Sequence, residues 1–66
     1  MRQLYDRTEL VAEIDLVGGE LTVKEFDGRP VRVLLEQMRQ GRTDTELWDS
    51  LPERLTGHIW IAEVEG

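Results

Sequence analysis

The chain has 66 residues, of which 39% are apolar and 33% are charged, and its fourteen acidic and eight basic side chains give a net charge of −6. This length allows one small domain, residues 1–66, and no apolar run approaches the ~20 residues that cross a bilayer, so we expect no membrane contact. The chain has no cysteine and a single histidine, His58, which excludes a disulfide framework and the usual zinc or catalytic clusters. The first residues lack the apolar stretch of a secretory signal, so we expect a cytoplasmic protein.

The strongest structural pattern lies in residues 10–26, where two alternating segments flank Gly18 and Gly19. Glycine at both positions suits a two-residue hairpin turn, which requires positive φ twice. Placing Val17 opposite Glu20 then sorts the apolar side chains onto one face of the ribbon. That face comprises Ala12, Ile14, Leu16, Leu21 and Val23. The alternative is a helix over residues 8–16.

Two helices are predicted after the hairpin. A turn at Asp27-Gly28 leads to Pro30 as the first helical residue, and Gly41 ends the first helix. Its buried stripe comprises Val31, Leu34, Leu35 and Met38. Residues 43–46 then fit a capping box that opens a second, short helix, which ends before Pro52. The short link between the two helices predicts a steep crossing, as in helix-turn-helix units.

The last segment, residues 57–65, is β-branched and aromatic at its centre, which predicts a strand. The alternative is a third short helix capped by Thr56. The expected fold class is therefore α+β, in the order β-β-α-α-β: an N-terminal hairpin, two helices in a helix-turn-helix-like arrangement, and a C-terminal strand that pairs onto the hairpin.

Basic charge is concentrated in residues 29–42, where four arginines and Glu36 give +3 and leave −9 on the rest of the chain. In a DNA-binding reading the contacts are Arg32, Arg39, Arg42 and Thr43. The second helix, however, would enter the major groove with acids and no lysine or arginine, which disfavours nucleic acid as a partner. The remaining alternatives are local pairing of the arginines with acids, or docking of an acidic protein.

No catalytic, cofactor or metal site is predicted. His58 is the one candidate base, and the strand acids lack the spacing of a cation-binding loop. Gly18-Gly19 lacks the context of a phosphate-binding loop. Tryptophan and arginine are the residue types most enriched at interface hot spots, so we expect a protein partner instead. The candidate anchors are Trp48, Trp60, Met38 and Arg39.

Four segments between residues 19 and 59 form one recognisable pattern: Gly28-Arg29-Pro30-Val31, residues 33–36, residues 41–47 and Leu55-Thr56. In these segments the chain resembles the small bacterial family called domain of unknown function 433. Members of that family are regarded as antitoxin-like partners of ribonuclease-type toxins. The resemblance implies a protein partner and autoregulation through a helix-turn-helix, and no activity of the chain's own.

These observations predict a non-catalytic, acidic protein-interaction module that is antitoxin-like and binds and masks a protein partner. Such a module could also form a homodimer. One alternative is a dimeric helix-turn-helix regulator that binds DNA. Another is a phage or mobile-element inhibitor that mimics the charge of nucleic acid.

Overall fold

A computed structural model describes residues 1–26 and 31–65 and contains a five-stranded antiparallel sheet and two helices. In chain order the elements are β1 (Arg2–Asp6), β2 (Glu9–Val17), β3 (Glu20–Glu25), α1 (Val31–Arg39), α2 (Asp44–Ser50), β4 (Arg54–Thr56) and β5 (Ile59–Glu63). The strand order across the sheet is β3-β2-β1-β5-β4, so the first strand of the chain is the central one. No helix in the described ranges is long and apolar enough to cross a membrane.

The β2–β3 pair has the register that the sequence predicts, from Val17 opposite Glu20 to Ala12 opposite Glu25. The turn between them has φ +60° at Gly18 and +82° at Gly19, a conformation that residues with a Cβ rarely adopt. The alternation of the two strands and this turn therefore agree on one pairing.

The predicted fold class is nevertheless wrong, because the β2–β3 pair is neither N-terminal nor a separate hairpin. Strand β1 precedes it and pairs with β2 on one side and β5 on the other. The C-terminal strand therefore pairs with β1 rather than onto the hairpin, and it forms a second hairpin with β4. The order of elements is β-β-β-α-α-β-β instead of β-β-α-α-β.

A β-bulge between β1 and β2 shapes the centre of the sheet. Leu4 lies opposite Ala12 and Tyr5 lies opposite Leu10, which leaves Val11 as an extra residue in β2. A bulge breaks the strict alternation of side chains, which explains why the consecutive residues Val11 and Ala12 are both fully buried.

The core lies between one face of the sheet and the two helices. Its buried side chains are Leu4, Val11, Ala12, Ile14, Val31, Leu35 and Leu47. The two helices therefore act as a covering layer for the sheet, where the sequence predicted a helix-turn-helix-like unit. Met38 packs against this core from α1, as its predicted stripe requires, whereas Val33 on the same helix is 55% exposed.

The ends of the helices follow local signals. The capping box is formed: the Thr43 hydroxyl accepts from the Glu46 N–H at 3.2 Å, and the Glu46 carboxylate accepts from the Thr43 N–H at 3.1 Å. That backbone hydrogen bond is the main reason why the pKa of Glu46 lies below its ordinary value of 4.5. The predicted turn at Asp27-Gly28 and the predicted helix start at Pro30 lie outside the described residues.

Candidate protein-interaction surface

The two faces of the sheet differ in what covers them. Leu4 and Ile61 lie on the face that packs against the helices. Tyr5 is the neighbour of Leu4 in β1, and Trp60 is the neighbour of Ile61 in β5. Both must lie on the opposite face because side chains alternate along a strand. Among the described residues no helix covers this second face. We call it the open face.

One row of side chains crosses the open face from edge to edge. Leu10 lies opposite Tyr5, Tyr5 opposite Trp60, and Trp60 opposite Arg54. Phe26, just past the end of β3, continues the row because its N–H donates to the Val11 carbonyl at 3.0 Å. We call this the aromatic row. In order from β3 to β4 it is Phe26, Leu10, Tyr5, Trp60 and Arg54.

The centre of the aromatic row is rigidly held. The rings of Tyr5 and Trp60 are stacked, with centroids 4.6 Å apart and planes inclined by 15°. The Tyr5 hydroxyl donates to the Gln3 side-chain oxygen at 3.0 Å, and the Trp60 indole N–H donates to the Arg7 carbonyl at 2.5 Å. Because the polar atoms of both rings are satisfied within the chain, their exposed carbon surface is a fixed apolar platform.

The charges of the open face nearly balance. Glu13 accepts from Gln3 at 3.3 Å and lies opposite Lys24, which in turn lies 5.3 Å from the centre of the Phe26 ring. By strand alternation the face also presents Asp15 and Glu20 as acids and Arg54 as a base. These five charged groups carry −1, so most of the chain's −6 lies away from the open face.

Of the predicted anchors, Trp48 and Met38 lie in the helix layer and pack against the core. The Arg2 guanidinium lies 4.0 Å from the centre of the Trp48 ring and donates to the Trp48 carbonyl at 2.6 Å. Arg2 also forms an ion pair with Glu63 at 2.6 Å, so this side of the indole is already in use. Trp60 is therefore the one predicted anchor that the structure places on the open face.

The predicted DNA contacts are engaged within the chain. Arg39 forms ion pairs with Asp44 at 2.5 Å and with Glu36 at 3.5 Å. Arg42 donates to the Ser50 hydroxyl at 3.0 Å, and Thr43 caps α2. This arrangement favours the alternative in which the arginines pair locally.

The outer edge of β3 is closed by side chains from the helices. The Leu21 N–H donates to the Asp44 carboxylate at 2.9 Å, and the Val23 carbonyl accepts from Arg32 at 2.6 Å. Arg32 is held in place by an ion pair with Glu25 at 3.2 Å. One backbone N–H and one carbonyl that could pair with another strand are thus occupied, which opposes association at this edge.

Sequence reasoning missed Tyr5, Leu10 and Phe26 as members of one surface. The available signal was the polar-apolar alternation of Gln3, Leu4 and Tyr5, which is that of a strand with one buried residue.

No three His, Cys, Asp or Glu side chains within residues 1–26 and 31–65 come together in a group that could hold a metal ion. No family model, no curated protein and no solved structure matches the chain.

Proposed function

We propose that this protein is a non-catalytic interaction module that acts by binding another protein chain through the open face of its sheet. The observation that carries the proposal is the distribution of aromatic side chains. The chain has four, and Tyr5, Phe26 and Trp60 lie on the face that the described helices leave uncovered. Aromatic residues on an uncovered, rigid face are typical of hot spots in protein interfaces.

The charges of this face support a protein rather than a nucleic acid as the partner. Binding to a polyanion draws its affinity from phosphate contacts with a surplus of lysine and arginine. The open face carries −1, and Arg39 and Arg42 are engaged within the chain. An aromatic surface with balanced charges is suited to a protein surface of mixed polarity.

The mechanism is occlusion. Burial of the aromatic row would slow dissociation, while the charge of −6, most of which lies off the face, would speed encounter with a basic partner at low salt. The resemblance to domain of unknown function 433 adds that the masked partner is toxin-like. On this proposal the chain needs no chemistry of its own.

The test begins with capture of binding proteins from a native lysate, with and without nuclease treatment, and continues with the captured protein in purified form. Calorimetry then compares the wild-type chain with Phe26→Ala and Trp60→Ala. Val33→Ala is the matched control, because Val33 is also an exposed apolar residue but lies on α1. Circular dichroism confirms that each variant is folded.

We expect stoichiometric binding that each open-face variant weakens at least about tenfold and that the control leaves unchanged. Binding to the purified protein that neither Phe26→Ala nor Trp60→Ala weakens would overturn the proposal. Recovery of partners only through nucleic acid would overturn it as well.

A further inference from the structure

We infer that the open face binds a second copy of this chain, with the two sheets packed face to face about a two-fold axis that runs parallel to β1. This inference rests on the proposed function, and it assigns the open face to a second copy of the chain until a different protein displaces that copy. It follows from the size of the core, the size of the face, and the order of the side chains in the aromatic row.

The core is small for an isolated domain. Only seven side chains among the described residues are buried apolar groups, and the chain has no cysteine to form a disulfide. Domains of this length commonly gain stability from disulfides, metals or association with another chain. A second copy on the open face would give the sheet an apolar layer on both sides.

The face has the size of a weak dimer interface. The five strands contain 28 residues, and at about 3.4 Å along and about 4.8 Å across the strand per residue they cover roughly 450 Å². This area is below the about 800 Å² that each partner contributes to a standard interface, so we expect a dimer that dissociates on dilution.

Two copies of the aromatic row are complementary when they run in opposite directions across the interface. A two-fold axis parallel to β1, the central strand, lays β3 of one copy over β4 of its partner and β2 over β5. Phe26 then lies against the partner's Arg54, which is a cation–π pair. Leu10 lies against the partner's Trp60, and Tyr5 lies against the partner's Tyr5. Arg54, the one charged member of the row, thus faces a ring of the partner and not another charge.

Competing modes of self-association are less favourable. Asp44 and Arg32 occupy one backbone N–H and one carbonyl at the β3 edge, and β4 at the other edge has only three residues. Both features oppose edge-to-edge pairing of two sheets. The helix side already covers the core. Sheet-on-sheet packing at about 10 Å is a common arrangement of β proteins, and it buries the uncovered rings in one step.

The test is sedimentation equilibrium of the purified full chain from about 1 µM to about 1 mM, a range that brackets weak and moderate dimers. We expect a dimer whose Kd rises at least about tenfold in Phe26→Ala and in Arg54→Ala, with no change in Val33→Ala. Phe26, Arg54 and Val33 are all exposed, so these variants retain the core. Circular dichroism verifies each fold.

A second readout tests the position of the axis. The chain has no cysteine, so Gln3→Cys introduces a single thiol on β1, beside the proposed axis. Because the two β1 backbones would lie about 10 Å apart, too far for a direct disulfide, the probe is a bis-maleimide reagent of about that span. We expect it to link Gln3→Cys into a covalent dimer and to leave Val33→Cys unlinked. A dimer that neither Phe26→Ala nor Arg54→Ala weakens, and that Gln3→Cys does not cross-link, would overturn the inference.

The outcomes separate this inference from the proposed function. A chain that stays monomeric at about 1 mM but binds a different protein through Phe26 and Trp60 overturns the dimer alone. A monomer that binds single-stranded oligonucleotides through those residues, or that binds no protein at all, overturns both.

Discussion

Asp44 connects three elements, and its removal is the sharpest test of how the helix layer is attached to the sheet. Its carboxylate accepts from the Leu21 N–H at the edge of β3 and forms an ion pair with Arg39 of α1. It is also the first residue of α2, where a negative charge interacts favourably with the helix dipole. We therefore expect Asp44→Ala to destabilise the fold by more than the loss of one surface contact.

The magnitude follows from these contacts. A hydrogen bond to a charged group contributes about 1.5–3 kcal/mol, the ion pair with the partly exposed Arg39 up to about 1 kcal/mol, and the dipole about 0.3–1 kcal/mol. Because such terms overlap, we expect a total loss of about 2–4 kcal/mol. A chain of this length has a free energy of unfolding of about 3–10 kcal/mol, so the loss is a large fraction of it.

The assay is urea unfolding followed by tryptophan fluorescence at one fixed protein concentration. Asp44→Asn keeps an oxygen acceptor for Leu21 and should cost about 1 kcal/mol, while Asp49→Ala, at an exposed position of the same helix, should stay within about 0.5 kcal/mol of wild type. An Asp44→Ala variant as stable as wild type would refute the reasoning. Equal losses in the Asn and Ala variants would refute the role assigned to the Leu21 hydrogen bond.

Three further predictions concern the sheet edge, the turn and the capping box. Arg32→Ala combined with Asp44→Ala opens the β3 edge, so light scattering should detect species larger than a dimer, whereas an unchanged size distribution would contradict the edge-closing role. Gly19→Ala adds a Cβ at φ +82° and should lower the free energy of unfolding by about 1–2 kcal/mol, which thermal unfolding measures. Glu46 has a pKa below 4.5 in the folded chain, so its contribution to stability is complete above pH 4.5 and is lost as the pH falls through the lowered value. Glu46→Gln should therefore lose less stability than wild type on acidification below pH 4.5, and parallel pH profiles would contradict this account.

The part of the fold that sequence reasoning predicted is local. The register of β2 and β3 depends on alternation and on the Gly18-Gly19 turn, both of which lie within one segment of the chain. Strand β1 was missed because Leu4 is its single buried residue and one of its two partner strands, β5, lies far away in sequence. Strand β4 has three residues, too few to show a period.

The bulge at Val11 could not be predicted from the sequence either. Adjacent apolar residues in β2 interrupt strict alternation, and the reason is an extra residue opposite β1 that only the paired structure reveals. For the candidate surface, Trp60 was a predicted anchor, but composition alone could not separate it from Trp48. The two residues differ in position: Trp48 lies on the helix side of the sheet, whereas Trp60 lies on the open face beside Tyr5. That difference depends on strand β1, which sequence reasoning missed. The resemblance to domain of unknown function 433 stays a prediction.

The position of β1 in the sheet determines when the protein can fold. As the ribosome releases the chain, β2 and β3 can pair at once, but the sheet lacks its other half until β5 has emerged. Joining β1 to β5 closes a loop that contains most of the chain, and contacts so distant in sequence slow folding. We therefore expect the sheet to stay incomplete until β5 has been released, so that a nascent chain shortened before Ile59 leaves one edge of β1 unpaired and exposed to chaperones and proteases.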